Sequence, residues 1–291
     1  MIPKALFKKV KSLEIKTRRL VNAFVSGQYQ SAFKGAGVNF ADVRPYALGD
    51  DVRFIDWKVT ARTGGEPYIK LFEEERELTV YLLVDLSGSG HFGSEETTKL
   101  DIAAEIAAIL GFSAIKNQDK VGLILFTDQV EKVIPAQRGK YHIMRLIREI
   151  FYFKPEGGKT SISTALRYFL NVQKKRSVVF VISDFIDANY EDELRMVARK
   201  HDVVPVVLED ERELELPKVG ILALEDSETG EIHYLDSSNN EVNEAYKHMA
   251  TARELEQDRF FRSINLTSLR LSIQKPYINR LVEFFKRRSR R

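Results

Sequence analysis

The 291-residue chain contains no cysteine. That excludes disulfides and any thiolate-held metal, and it is compatible with a reducing, cytoplasmic setting. Histidine is scarce as well, and His91, His142, His201, His233 and His248 show no close zinc-type spacing. No uninterrupted apolar run reaches the roughly 18–20 residues of a membrane-spanning helix, because Glu105 breaks the best candidate, between Ile102 and Ile115. The opening residues, MIPKALFKKV, carry lysines where a secretory signal needs an apolar stretch. Low-complexity segments and internal repeats are also missing.

What is present is an ordinary globular composition, 44% hydrophobic and 30% charged. The net charge of +3 hides an asymmetry. Residues 1–25 carry seven lysines and arginines against Glu14, and the tail KRRSRR at 286–291 adds five more, so the body between is acidic. The two basic ends read as solubility features, with peripheral contact to anionic membrane as the alternative. Nucleic-acid binding lacks the interleaved aromatic and basic residues that stacking needs.

Four segments follow from the patterning. Residues 1–25 form a basic amphipathic helix, with Leu6, Val10, Leu13, Leu20, Val21 and Phe24 at near-helical spacing. Residues 26–77 read as a small β-rich module, with turns at Gly35–Gly37, Leu48–Asp51 and Thr63–Gly65. Within it, Arg44, Asp50, Asp51, Arg53, Asp56 and Arg62 cluster around Trp57. These are either ion pairs fixing irregular turns or a recognition surface, since arginine and tryptophan anchor interfaces. From residue 78 to 285 strands and helices alternate, which predicts an α/β doubly wound, mostly parallel sheet. Residues 286–291 are the basic tail.

The centre of that domain is LTVYLLVDLSGSG, from Leu78 to Gly90. Its continuous apolar run suits a strand covered on both faces. The strand delivers Asp85, Ser87 and Ser89 onto the loop at its carboxyl end, where open parallel sheets bind ligands. Thr160 follows Gly157–Gly158 at a helix start, and Asp184 ends the apolar strand SVVFVIS. Together these five form an all-oxygen set that suits a hard divalent cation, Mg2+ first, with Mn2+ or Ca2+ as its relatives. The set leaves room for one more oxygen, so it favours an acidic side chain arriving from a partner over metal storage. The plainer alternative is capping hydroxyls beside two structural aspartates.

DLSGS, GGKTSISTAL and VISDF resemble the metal-ion-dependent adhesion site of von Willebrand factor type A domains. More broadly, KGAGVNFADVRPYALGDDVRFIDWKVTAR, YIKLFEEERELTVYLLVDLSGS and ISDFID resemble domain-of-unknown-function family 58, over roughly residues 10–285. Members are often encoded beside MoxR-type AAA+ ATPases. The resemblance implies a type A fold behind a small N-terminal module. It also implies a non-enzymatic role as partner or adaptor of such an ATPase in activating or assembling a protein client. Carried over, Asp85, Ser87, Ser89, Thr160 and Asp184 are the metal set. The chain departs from the usual pattern at Gly90, where methionine is common, and at Asn39, where glutamate is.

Two enzymatic readings compete. GGKTS resembles the end of a phosphate-binding loop, but the pattern needs glycine where the chain has Phe153. A metal-dependent phosphohydrolase using Asp85 as nucleophile is the better rival. It would ordinarily carry a second carboxylate two residues on, where Ser87 stands.

Overall fold

The computed structural model describes residues 29, 32, 38–74, 78–91, 97–225 and 230–289. The helix expected over residues 4–25 lies outside the described residues. The chain divides into two compact units, Phe33–Leu78 and a larger one combining Met1–Ala32 with Thr79–Arg291.

In the smaller unit β1 (Val38–Pro45) pairs antiparallel with β2 (Tyr68–Glu74). The segment between them looked β-like in sequence, yet it forms a 3-10 turn, Val52–Phe54, and a short helix α1 (Trp57–Arg62). Capping decides this. The Asp51 carboxylate accepts from the Arg53 amide, and the Asp56 carboxylate accepts from Lys58 N at 3.0 Å and Val59 N at 3.3 Å. Each carboxylate satisfies amides that a helical turn would otherwise leave open.

The larger unit is built on one six-stranded sheet. Its strands are β3 (Thr79–Asp85), β4 (Lys120–Phe126), β5 (Val130–Gln137), β6 (Val178–Ser183), β7 (Asp202–Glu209) and β10 (Leu269–Ser272). They lie side by side in the order β5-β4-β3-β6-β7-β10. All neighbours are parallel except β5, which runs antiparallel to β4 at one edge. Every residue of β6 is buried, as is all of β3 after Thr79, which is why these strands read as unbroken apolar runs. Pro205 lies in β7 one residue before β10 begins its pairing at Val206, so β10 loses no ladder bond to the missing N–H. A separate hairpin joins β8 (Ile221–Glu225) to β9 (Ile232–Asp236).

The helices are α2 (Lys99–Lys116), α3 (Lys140–Tyr152), α4 (Ile162–Val172), α5 (Glu191–Lys200), α6 (Asn240–Ser263) and α7 (Ile278–Arg288). A reciprocal cap, Thr98 with Asp101, starts α2, which is buried almost all round. One face of the sheet packs Phe169 and Ile162 of α4, Leu194 and Val197 of α5 and Phe261 of α6 against β3, β6 and β7. Among the described residues no helix is long and apolar enough to cross a membrane.

His201 closes α5 at the amino-terminal side of β7. It is 4% exposed, packs edge-on against Phe169 at 4.8 Å, and among the described residues neither ring nitrogen has a hydrogen-bond partner. Burial, then the Lys200 and Arg176 charges, push its pKa below the ordinary value. A histidine depressed in the fold takes its proton first in the unfolded chain. Stability from the neutral ring is therefore complete above about pH 6.5 and lost as pH falls through the folded value. Melting curves between pH 7.5 and 5 should show a steeper acid loss for wild type than for His201→Phe; parallel curves would assign the loss to other groups.

Candidate functional site

The chain leaves β3 toward β4 on one side, and β6 lies on the other, so the topological switch point falls between β3 and β6. Ligands of doubly wound sheets bind in the crevice above such a point. Asp85 ends β3 there. Its carboxylate accepts from the Ser87 amide at 2.9 Å and, across the switch point, from the Ser183 hydroxyl at 2.6 Å. The Ser87 and Ser89 hydroxyls lie 3.0 Å apart, and Ser89 also bonds to Asp184.

Three loops are laced together around these groups. Leu86 N donates to the Phe126 carbonyl, Gly88 N to the Gly158 carbonyl, and Ser161 N to the Thr127 carbonyl. Half-buried Thr160 stands between the last two anchors, so its segment is brought to the Ser87–Ser89 loop as expected. Asp187, beyond Asp184, accepts from the Ile162 amide at the start of α4. The Glu156 and Gly157 amides point to the Glu131 carboxylate, at 3.2 and 2.8 Å. Amides so engaged are not arrayed around a phosphate, which goes against the phosphate-loop reading. A Cβ at Gly157 would meet the Oγ1 of fully buried Thr127 at 2.4 Å, so the close approach here favours glycine.

Two residues of the site were missed in the sequence. Lys99, 2% exposed, donates from Nζ to Asp184 at 2.9 Å and to Glu213 at 2.5 Å. Their spacings in the chain, 85 and 114 residues, leave no local signal. Their electrostatics diverge from that of Asp85. Burial, then the neighbouring Asp184 charge, push the Asp85 carboxyl up to about 7. Burial also opposes ionisation of Asp184, but Lys99 more than offsets it and holds that carboxyl below its usual range. Glu213 is raised, because burial outweighs the pull of Lys99. Lys99 itself is raised, since the two carboxylates prevail over its burial.

The donor chemistry fits a hard cation. Two carboxylates, Asp184 and Glu213, hold the Lys99 ammonium, and Asp85 has no cationic neighbour within salt-bridge reach among the described residues. Among the described residues no three histidine or acidic side chains converge to share an ion, so a metal here would depend on the hydroxyls.

The smaller unit resolves differently. Arg44 makes a bidentate pair with Asp50, both bonds 2.7 Å, and Arg53 pairs with Asp51. Asp56 caps α1 and lies 3.8 Å from Lys70. These pairs fix turns. Trp57, 69% exposed, and Arg62 remain at the surface.

A carboxylate and hydroxyl cluster stands over the switch point of the mostly parallel, doubly wound sheet, and the larger unit is an α/β module. The chain belongs to the family described as protein of unknown function DUF58, which matches residues 42–256. It is 28% identical over 284 residues to an uncharacterized protein of Mycobacterium tuberculosis, covering 97% of this chain and 89% of that one. Over 137 residues it is 28% identical to the uncharacterized protein YeaD of Bacillus subtilis, 43% of this chain and 32% of that protein. Among solved structures it is similar to an aerotolerance-related membrane protein from Bacteroides fragilis (14% identity, TM-score 0.49, 73% of this chain and 98% of that one). It is also similar to the SpRpn10 VWA domain (14% identity, TM-score 0.39, 71% and 94%).

Proposed function

We propose that the chain is a protein-interaction module whose binding depends on a divalent cation, Mg2+ before Mn2+ or Ca2+. Asp85, Ser87, Ser89, Thr160 and Asp184 would hold the ion. The observation that carries this is the buried Asp85–Asp184 pair at the switch point, with no cation in salt-bridge reach of Asp85 among the described residues and two serine hydroxyls beside it. When bound, the ion supplies an electrophilic centre with positions open to one more oxygen. The chain's own residues do the rest: Ser183 and the Ser87 amide orient Asp85, the Ile186 amide orients Asp184, and the loop bonds keep the hydroxyls in place. A partner's Asp or Glu would complete the site. The family resemblance directs the choice of partner to a MoxR-type AAA+ ATPase or its client, at the cytoplasmic side of a membrane or in the cytoplasm. The rival reading, phosphate hydrolysis by Asp85, gains nothing from a carboxyl that is buried and has both oxygens hydrogen-bonded.

Calorimetry with a MoxR-type ATPase from the same organism tests this. Binding is expected in Mg2+ and lost in EDTA, and Ser87→Ala or Thr160→Ala should each weaken it by about 1–3 kcal/mol without unfolding the protein. Affinity indifferent to EDTA would move the interface elsewhere, with the Arg44–Arg62 module the next surface to examine.

A further inference from the structure

Lys99 is an unusual occupant of its position. Lysine is almost never fully buried unless paired, and Lys99 is 2% exposed. It is also the first residue of α2, the end of a helix whose dipole disfavours positive charge. Among the described residues two carboxylates meet both penalties. Asp184 comes from the loop after β6, and Glu213 from the 3-10 turn Glu211–Glu213. Glu213 is itself fixed, since its second oxygen accepts from the Asp210 amide at 3.2 Å. The ammonium thus has two seats: one carboxylate from the proposed ion-binding set, and one outside it.

We infer that Lys99 is a tethered cation that competes with the divalent ion for Asp184, and that Glu213 is the seat that draws it away. The inference rests on the ion-dependent reading of the site. While the ammonium lies on Asp184 it neutralises a carboxylate that the ion needs, and like charges crowd if both are present. Glu213 lets the ammonium give up Asp184 without being left buried and unpaired. Together the two residues would hold ion affinity low enough for exchange, as suits a site completed by a partner.

The two residues have opposite expected signs, which a merely structural role would not produce. In metal-free protein titrated with Mn2+ by calorimetry, Lys99→Met should tighten binding at least about tenfold, or about 1.4 kcal/mol. Glu213→Gln should weaken it, because the ammonium then commits to Asp184. Lys99→Arg keeps the charge and should show no gain. Circular dichroism checks that each variant is folded. If Lys99→Met does not fold, Glu213→Gln decides alone, and unchanged or tighter Mn2+ binding there overturns the inference. If wild type binds Mn2+ and Lys99→Met binds equally or more weakly, the inference fails and the ion-dependent reading stands. If neither wild type nor Lys99→Met binds Mn2+, while both are folded, the ion-dependent reading fails and the inference with it.

Discussion

Asp85→Asn should make the metal-free protein more stable at pH 8 while abolishing its response to Mg2+. In the fold the Asp85 carboxyl is pushed up to about 7 by burial and by Asp184, against 3.8 for an ordinary aspartate. Because the folded value is raised, the stability of the protonated group is fully present below 3.8 and lost as pH rises through about 7. A shift of that size converts to a ceiling of about 4 kcal/mol, and relaxation of the loop should leave roughly 2 kcal/mol. Asparagine has the same shape, still accepts from Ser183 or the Ser87 amide, and never ionises. In EDTA at pH 8 its melting temperature should exceed wild type by about 4–8 °C. At pH 4 the advantage should largely disappear. Saturating Mg2+, at about 100 times Kd, should stabilise wild type by about 2.7 kcal/mol and the variant not at all. A pH-independent difference, or equal Mg2+ shifts, would refute this account of Asp85.

Arg270→Met should be the most damaging single change away from the site. Arg270 reaches from β10 to Glu209 on β7 and to Asp258 (3.1 Å) and Glu254 (3.5 Å) on α6, with its side chain 17% exposed. Removing one member of this half-buried ionic network leaves the others uncompensated, which costs about 2–3 kcal/mol, below the full penalty of a buried pair. Burial already raises the Glu209 carboxyl against the opposing pull of Arg270. Without the guanidinium it should rise further, so the loss should be larger at pH 8 than at pH 5. Adding Glu209→Gln should recover part of it, a coupling that urea unfolding of the four proteins of the cycle measures directly. Additive losses would show that the pair is not the source. The site is implicated too, because α6 carries Gln257, whose Nε2 donates to the Phe185 carbonyl just beyond Asp184 at 2.9 Å.

Much of this was legible in the sequence because it is local. Unbroken apolar runs marked β3 and β6, whose residues are almost all buried. Asp85, Ser87 and Ser89 stand at a strand end because their strand can be read directly. Side-chain capping overrode β propensity at Asp51 and Asp56, so part of the module expected to be β-rich is a 3-10 turn and α1. Lys99 is the polar first residue of a helix whose sequence is apolar almost all round, and Glu213 falls in a charged stretch with no period. Only the sheet order brings them to Asp184. The left-handed backbone of Phe185, at φ +56°, was likewise invisible. It is held by its amide bond to the Ser183 hydroxyl (3.0 Å) and by edge-on packing against Tyr190 and Phe261.

The outer strands of the sheet bear on how copies of this protein behave at high concentration. β5 carries Pro135, which offers no N–H, and charged Glu131 and Lys132; β10 is four residues long. Short, charged or proline-bearing borders are poor templates for adding a foreign strand, so edge-to-edge polymerisation and donor-strand exchange are disfavoured. Fibril seeding by this domain should accordingly be slow, and extended peptides that zip onto a border make poor partners for it.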